Sequence, residues 1–127
     1  MSDDRIQRLI SRLEKGVAPA MATPLSADGR RVDLPAVDKL VEFLIAAGVK
    51  GLFVGGTTGE GILLSLEQRQ QLHERAIAAI AGRVPALLHV GANNTADGVV
   101  LAAHAHAIQA DAIVAVTPSF FLVHDTA

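Results

Sequence analysis

Two hydrophobic periods alternate along this chain. Ile6, Leu9, Ile10 and Leu13 fall three and four residues apart among Asp, Arg and Glu, which predicts an amphipathic helix over 2–14, ended by Gly16. A short unbroken apolar run at 17–22 reads as a strand, and Ser26-Ala27-Asp28-Gly29 after it is turn chemistry. Helical spacing returns in Leu40, Val41, Leu44 and Ile45, within a helix expected from about Leu34 to Ala47. Asp33 suits its N-cap, Pro35 sits in the first turn where a missing N–H costs nothing, and Gly48 stops it. A second strand follows at 51–55. The next helix opens at Ser65, where Ser65-Leu66-Glu67-Gln68 reads as a capping box, and runs to about Ile80, stopping near Gly82. A third strand spans Ala86 to Val90, a helix runs from about Thr95 to Ile108, and a fourth strand spans Ala112 to Val116, closed by Thr117-Pro118.

The strands begin near residues 17, 51, 86 and 112, a repeat of roughly 30 residues that matches one βα unit. Strands that are apolar nearly throughout belong to a parallel sheet covered by helices. The helix-to-strand junctions echo each other in Ala47-Gly48-Val49-Lys50-Gly51 and Ile108-Gln109-Ala110-Asp111-Ala112. The pattern is α/β and fits either a (β/α) barrel or a doubly wound sheet.

Composition removes several classes of function. Half of the 127 residues are hydrophobic and 19% are charged, so the chain has the makings of a packed core. A net charge of −2 gives no reason to expect nucleic acid or an anionic membrane as partner. No cysteine is present, which excludes disulfides, thiolate metal sites and a cysteine nucleophile. Ser2-Asp3-Asp4-Arg5 does not open a signal peptide, and the most apolar later stretch, 99–116, is interrupted by His104, His106, Gln109 and Asp111. The expected compartment is the cytoplasm. There is no tyrosine, so one common general acid is missing from the whole chain.

The most informative stretch is Gly55-Gly56-Thr57-Thr58-Gly59-Glu60, placed between the apolar run 51–54 and the helix start at Ser65. Glycines let a backbone turn tightly and aim its N–H groups at one point, and the two threonines add hydroxyls that donate or relay protons. No lysine follows, so this is not the phosphate loop of an NTPase. The spacing is not the dinucleotide GxGxxG either. A small carboxylate suits such a pocket. The alternative is a tight βα turn without a ligand.

With its flanks, from Gly51 through Gln68, this loop resembles the signature of the dihydrodipicolinate synthase and N-acetylneuraminate lyase family. Three further stretches fit in order. Ala20-Met21-Ala22-Thr23-Pro24-Leu25 with Asp28-Gly29 is similar to the first strand and turn of that family. Val90-Gly91-Ala92-Asn93-Asn94-Thr95 is similar to the end of its third strand, and Val116-Thr117-Pro118 to the end of its fourth. The resemblance selects a (β/α)8 TIM barrel. It implies residues 1–16 as an N-terminal helix and 17–127 as strands one to four with their helices. A closed barrel needs about 250 residues, so the chain is expected to be the N-terminal half of a longer protein. A catalytically inactive half-barrel that acts only by assembly is the alternative of another class.

The resemblance also implies the chemistry. A lysine amine attacks the ketone of pyruvate or a related 2-oxo acid, and the Schiff base takes up electrons as a C–C bond forms or breaks. No cofactor and no metal is implied. Thr57 is then the proton-relay residue. Thr58 binds the substrate carboxylate together with Thr57 and the Gly56 backbone, and Glu60 braces the loop. The lysine and a catalytic tyrosine of the family lie on later strands. Lys15, Lys39 and Lys50 sit on helices or at the start of strand two and read as solvated charges. Dihydrodipicolinate synthases usually carry a tyrosine pair after Thr-Pro, the second of which reaches a neighbouring subunit's site. Ser119-Phe120-Phe121 stands here, so Phe120 is an interface or site position without a hydroxyl. That leaves room for a sugar-acid aldolase or dehydratase of the same family, either N-acetylneuraminate lyase-like or acting on 2-keto-3-deoxy sugar acids. The full-length protein is expected to be a homo-oligomer, a dimer or tetramer.

The remaining polar residues have quieter readings. Thr23, Asn93 and Thr117 terminate strands. His73, His89, His104 and His106 read as packed or surface histidines, since no HExxH motif or carboxylate cluster accompanies them. His124 falls in the loop after strand four, on the side where substrate would sit.

Overall fold

The computed structural model describes residues 3–119. The expectations for Phe120, Phe121 and His124 concern positions outside the described residues. The elements, in order, are α1 (Asp3–Leu13), α2 (Leu34–Ala46), β1 (Leu52–Val54), a 3₁₀ turn (Gly61–Leu63), α3 (Leu66–Ile80), β2 (Ala86–His89), α4 (Thr95–Ala107) and β3 (Ala112–Val114).

Local chemistry accounts for the helix ends. The Asp33 carboxylate accepts the Ala36 N–H at 3.0 Å, and Pro35 lies in the first turn of α2. At α3 the capping box is complete. The Gln68 N–H donates to Ser65 Oγ at 3.1 Å, and the Ser65 N–H donates back to Gln68 Oε1 at 2.8 Å. Asn94, which the apolar pattern places at a strand end, caps α4 by accepting the Asp97 N–H at 2.8 Å. The echo between the two helix-to-strand junctions is real in the backbone: Gly48 and Gln109 both take left-handed conformations, with φ of 89° and 60°.

The three strands form one parallel sheet in the order β1-β2-β3, with Phe53 opposite Leu87 and Leu88 opposite Ile113. The stretch 17–22 departs from expectation. It runs parallel beside β1 but makes only an isolated bridge, Ala20 to Phe53, rather than a full strand. Pro19 supplies the reason. Its carbonyl accepts the Phe53 N–H at 3.0 Å and the Met21 N–H donates back to the Phe53 carbonyl at 3.0 Å, which makes the one bridge, but Pro19 has no N–H with which to extend the ladder toward the start of β1. Four extended segments therefore lie side by side in chain order, and three of them are strands.

Alternation of side chains sorts the sheet into two faces. Leu52, Val54 and Leu88 point to the helix side and are fully buried against Val37 and Val41 of α2, Leu72, Ala76 and Ile80 of α3, and Leu101 and Ala105 of α4. Phe53, Leu87 and His89 occupy the opposite face. Helix α1 lies across the N-terminal ends of the strands. Leu13 packs on Gly51, where an added Cβ would come within 2.7 Å of Leu13 Cδ2, and Arg12 donates to the Gly82 carbonyl at 2.8 Å. No residue of α1 is buried, and Ile6 and Ile10 of its apolar face remain exposed.

Candidate active site

The C-terminal ends of β1, β2 and β3 open on a shared cleft of about 310 Å³ whose lining includes Gly56, Thr57, Glu60, His89, Asn93 and Thr117. A larger cavity of about 750 Å³ lies at the other end of the sheet, between α1 and residues 109–113, and takes in none of the loop residues. Parallel α/β sheets gather their polar loops at the carboxyl ends of the strands, which makes the smaller cleft the candidate site.

The glycine loop is built by close packing. Gly55 takes a φ of 73°. A Cβ on Gly61 would stand only 1.9 Å from the Gly55 carbonyl oxygen, so that position admits no side chain, and one on Gly56 would stand 2.6 Å from Phe53 Cε1 and force the ring to shift. The Thr23 hydroxyl donates to the Gly59 carbonyl at 2.6 Å, which ties the loop to the segment before it. Within the loop the Glu60 N–H donates to Thr57 O at 3.0 Å and the Gly61 N–H to Gly56 O at 3.1 Å. The N–H groups of Thr57, Thr58 and Gly59 have no partner among the described residues. Thr57 and Thr58 are both exposed; Thr57 lines the cleft, and Thr58 lies just outside its lining. The Glu60 side chain, expected to brace the loop, is exposed on the cleft wall without a hydrogen bond among the described residues. Thr23 and the glycines do the bracing. Glu60 also holds a left-handed backbone, φ 52°, unusual for a residue with a side chain.

Behind the cleft lies a buried polar group that sequence reasoning missed in part. Arg69 of α3 is 3% exposed. It donates from Nη1 to the Gly91 carbonyl at 2.6 Å and from Nη2 to the His89 carbonyl at 2.7 Å, with Nη2 also 3.1 Å from His89 Nδ1. Burial lowers its pKa. The guanidinium thus pins the backbone at the end of β2 to α3. One signal for it stands in the sequence: Arg69 shares the three-and-four spacing of Leu72, His73, Ala76 and Ile80, so a charge occupies the buried stripe of α3. His89 does more than pack. It lines the cleft and meets Phe53 edge to face, ring centroids 6.0 Å apart. Burial, then the nearby Arg69 charge, lowers its pKa. His73 is fully buried, with both ring nitrogens unpartnered among the described residues, and burial above all pushes its pKa down to about 3.

The other expected side chains are dispersed. His104 Nε2 pairs with Glu74 Oε1 at 2.8 Å on the outer helices, and His106 is exposed. Lys15, Lys39 and Lys50 are exposed, and none lines the cleft. Among the described residues no group of three His, Asp or Glu could hold a metal ion, and no helix is long and apolar enough to cross a membrane.

A parallel sheet with helices on one face carries at its carboxyl edge a glycine loop, a threonine hydroxyl and carbonyl-anchored turns around an open cleft. The family model described as the dihydrodipicolinate synthetase family matches residues 13–126. The chain belongs to that family. It is 44% identical over 104 residues to 4-hydroxy-tetrahydrodipicolinate synthase 2 of Halalkalibacterium halodurans, covering 82% of this chain and 35% of that protein. It is 38% identical over 107 residues to N-acetylneuraminate lyase of Citrobacter koseri, covering 84% and 36%. The crystal structure of N-acetylneuraminate lyase from Mycoplasma synoviae superposes with a TM-score of 0.85 at 33% identity, over 91% of this chain and 40% of that one. The chain thus spans little more than a third of the length of the curated relatives it matches.

Proposed function

We propose that this chain forms the substrate-binding wall of a lyase or aldolase that makes a Schiff base with pyruvate or a related 2-oxo acid. In this reading residues 17–127 are the first four βα segments of a (β/α)8 barrel, residues 1–16 are its N-terminal helix, and the complete protein is a cytoplasmic homo-oligomer. The observation that carries the proposal is the loop after β1: the N–H groups of Thr57, Thr58 and Gly59 have no partner among the described residues, and Thr57 lines the cleft with Gly56 beside it. A carboxylate satisfies such donors. Thr58 and the Gly56–Thr57 backbone hold it, and Thr57 passes a proton as the amine adds to the ketone and water leaves. The iminium then accepts the electron pair of the C–C bond under change. No lysine of this chain lies at the carboxyl edge, so the amine comes from outside residues 1–127.

The test is trapping. Borohydride delivers hydride to the iminium carbon and fixes the substrate as a secondary amine. The full-length protein with pyruvate should gain that mass on a lysine beyond Ala127. An adduct on Lys15, Lys39 or Lys50, or none with any 2-oxo acid, overturns the proposal.

A second reading is a sugar-acid aldolase or dehydratase rather than a synthase. The missing hydroxyl at Phe120 favours it, and the chain's relatives include N-acetylneuraminate lyases as well as synthases. Positioned acid–base groups contribute about 10²–10⁴-fold. Condensation of pyruvate with aspartate semialdehyde should then be weak, and Phe120→Tyr should raise it. A wild-type kcat/KM of about 10⁴ M⁻¹s⁻¹ or more on aspartate semialdehyde would show that Phe120 is no obstacle.

A further inference from the structure

His89 was expected to be a packed or surface histidine, and its surroundings give it a defined chemical state. Arg69 Nη2 approaches Nδ1 at 3.1 Å. A guanidinium nitrogen has only hydrogens to offer, so Nδ1 must accept. A neutral imidazole that accepts at Nδ1 carries its proton on Nε2. The two other Arg69 bonds, to the carbonyls of His89 and Gly91, hold the guanidinium so that it cannot turn away. Phe53 packs edge to face on the ring. The Cε1–Nε2 edge of the ring lies beside Gly91, where a Cβ would stand 2.9 Å from Cε1 and 3.0 Å from Nε2. Both His89 and Gly91 line the cleft, and Nε2 has no hydrogen-bond partner among the described residues. Unlike the ring nitrogens of His73, this Nε2 is not sealed from the cleft, so its N–H is open to an oxygen acceptor that enters there.

We propose that His89 is a substrate-contacting residue of this site, a neutral imidazole whose Nε2–H donates to an acceptor oxygen of the 2-oxo acid, with Arg69 as the positioning residue that sets its tautomer. The proposal rests on the reading of the site as a 2-oxo acid pocket and names a donor in it besides the glycine loop. Burial and the Arg69 charge both disfavour the imidazolium, so the group presents one hydrogen and no net charge. It therefore selects an oxygen acceptor and discriminates against an analogue with an ammonium group at that point. Gly91 belongs to the same device, since a side chain there would collide with the imidazole edge.

Two measurements test it, one free of any substrate. Nitrogen-15 NMR of the histidine-labelled protein at neutral pH should show His89 protonated on Nε2 and bare at Nδ1, and Arg69→Lys should mix the tautomers. A proton on Nδ1, or an imidazolium, overturns the inference whatever the enzyme does. The second measurement is KM and kcat of the full-length protein with pyruvate. His89→Leu, which removes the donor at similar volume, should raise KM about 3–10-fold, the size of one neutral hydrogen bond. His89→Gln, which can place an amide N–H near the Nε2 position, should recover most of that loss. A KM unchanged in His89→Leu, or a loss that glutamine does not repair, overturns the substrate contact. If the wild type traps no 2-oxo acid with borohydride, the parent reading fails and the ligand assigned to His89 falls with it; a trapped wild type with an indifferent His89→Leu fails this inference alone.

Discussion

His73 should make this protein acid-labile in a way that one substitution removes. The side chain is fully buried against the glycine loop, with Nε2 placed 3.1 Å from where a Cβ on Gly55 would stand. Neither ring nitrogen has a partner among the described residues, and the charged groups that bear on it are Arg69 of its own helix, His104 of α4 and His89 of β2. Burial disfavours the charged form, and a proton there would also add a second positive charge near Arg69, which is why the pKa falls from 6.5 to about 3. The folded state therefore binds fewer protons than the unfolded chain. Stability is undiminished above the unfolded value of 6.5 and declines as pH falls through the window down to about 3. The slope approaches about 1.4 kcal/mol per pH unit, so roughly 3 kcal/mol is lost by pH 4.5. That is a large fraction of the 5–15 kcal/mol typical of a folded domain. His73→Leu fills a similar volume with nothing to protonate and nothing left unpaired. Urea unfolding of both proteins between pH 8 and 4.5 reads the difference. At pH 8 the variant should match or exceed the wild type, because an unsatisfied buried polar group costs about 1–3 kcal/mol. By pH 4.5 it should be ahead by about 3 kcal/mol more. His89 titrates in the same direction in both proteins and cancels. A gap that stays constant across this range would refute the reasoning.

In the full-length enzyme, Thr57→Val should lower kcat by about 10²-fold with little change in KM, since a relay acts in the transition state. Thr58→Val should instead raise KM for the 2-oxo acid about 3–10-fold. Steady-state kinetics separates the two, and an intact kcat in Thr57→Val would make the loop purely structural. Gly61→Ala should cost about 3 kcal/mol or more, because its methyl group would sit 1.9 Å from the Gly55 carbonyl oxygen. Gly98→Ala in α4, whose methyl group would meet nothing nearer than the Val90 carbonyl oxygen at 3.5 Å, should instead gain about 0.5–1 kcal/mol. Urea denaturation of the two alanine variants reads both, and equal effects would mean that the loop is not close-packed.

What the sequence determined by itself is whatever a few neighbouring residues settle. Asp33 with Pro35, and Ser65 with Gln68, mark helix starts because the cap bonds close within three residues. The alternation of helical spacing with apolar runs announced parallel βα units, because a strand buried on the helix side and flanked by helices has no use for polar residues. The glycine loop was legible for the same local reason: its conformation needs residues without side chains wherever it lies. Only the tertiary structure decided the rest. The stretch 17–22 has the composition of a strand, but its ladder depends on which backbone group of β1 faces Pro19. Helical spacing puts Arg69 on the buried stripe of α3, but its partners appear only when α3 is laid on the sheet and the guanidinium meets two carbonyls at the end of β2. His89 reads as a packed or surface histidine until the pleat turns it toward the cleft and Arg69 settles its tautomer. Long-range partners of this kind lie 20 to 22 residues apart in the chain and leave no spacing rule behind. The face a side chain takes in a parallel sheet is set by register with neighbouring strands, which no single segment specifies.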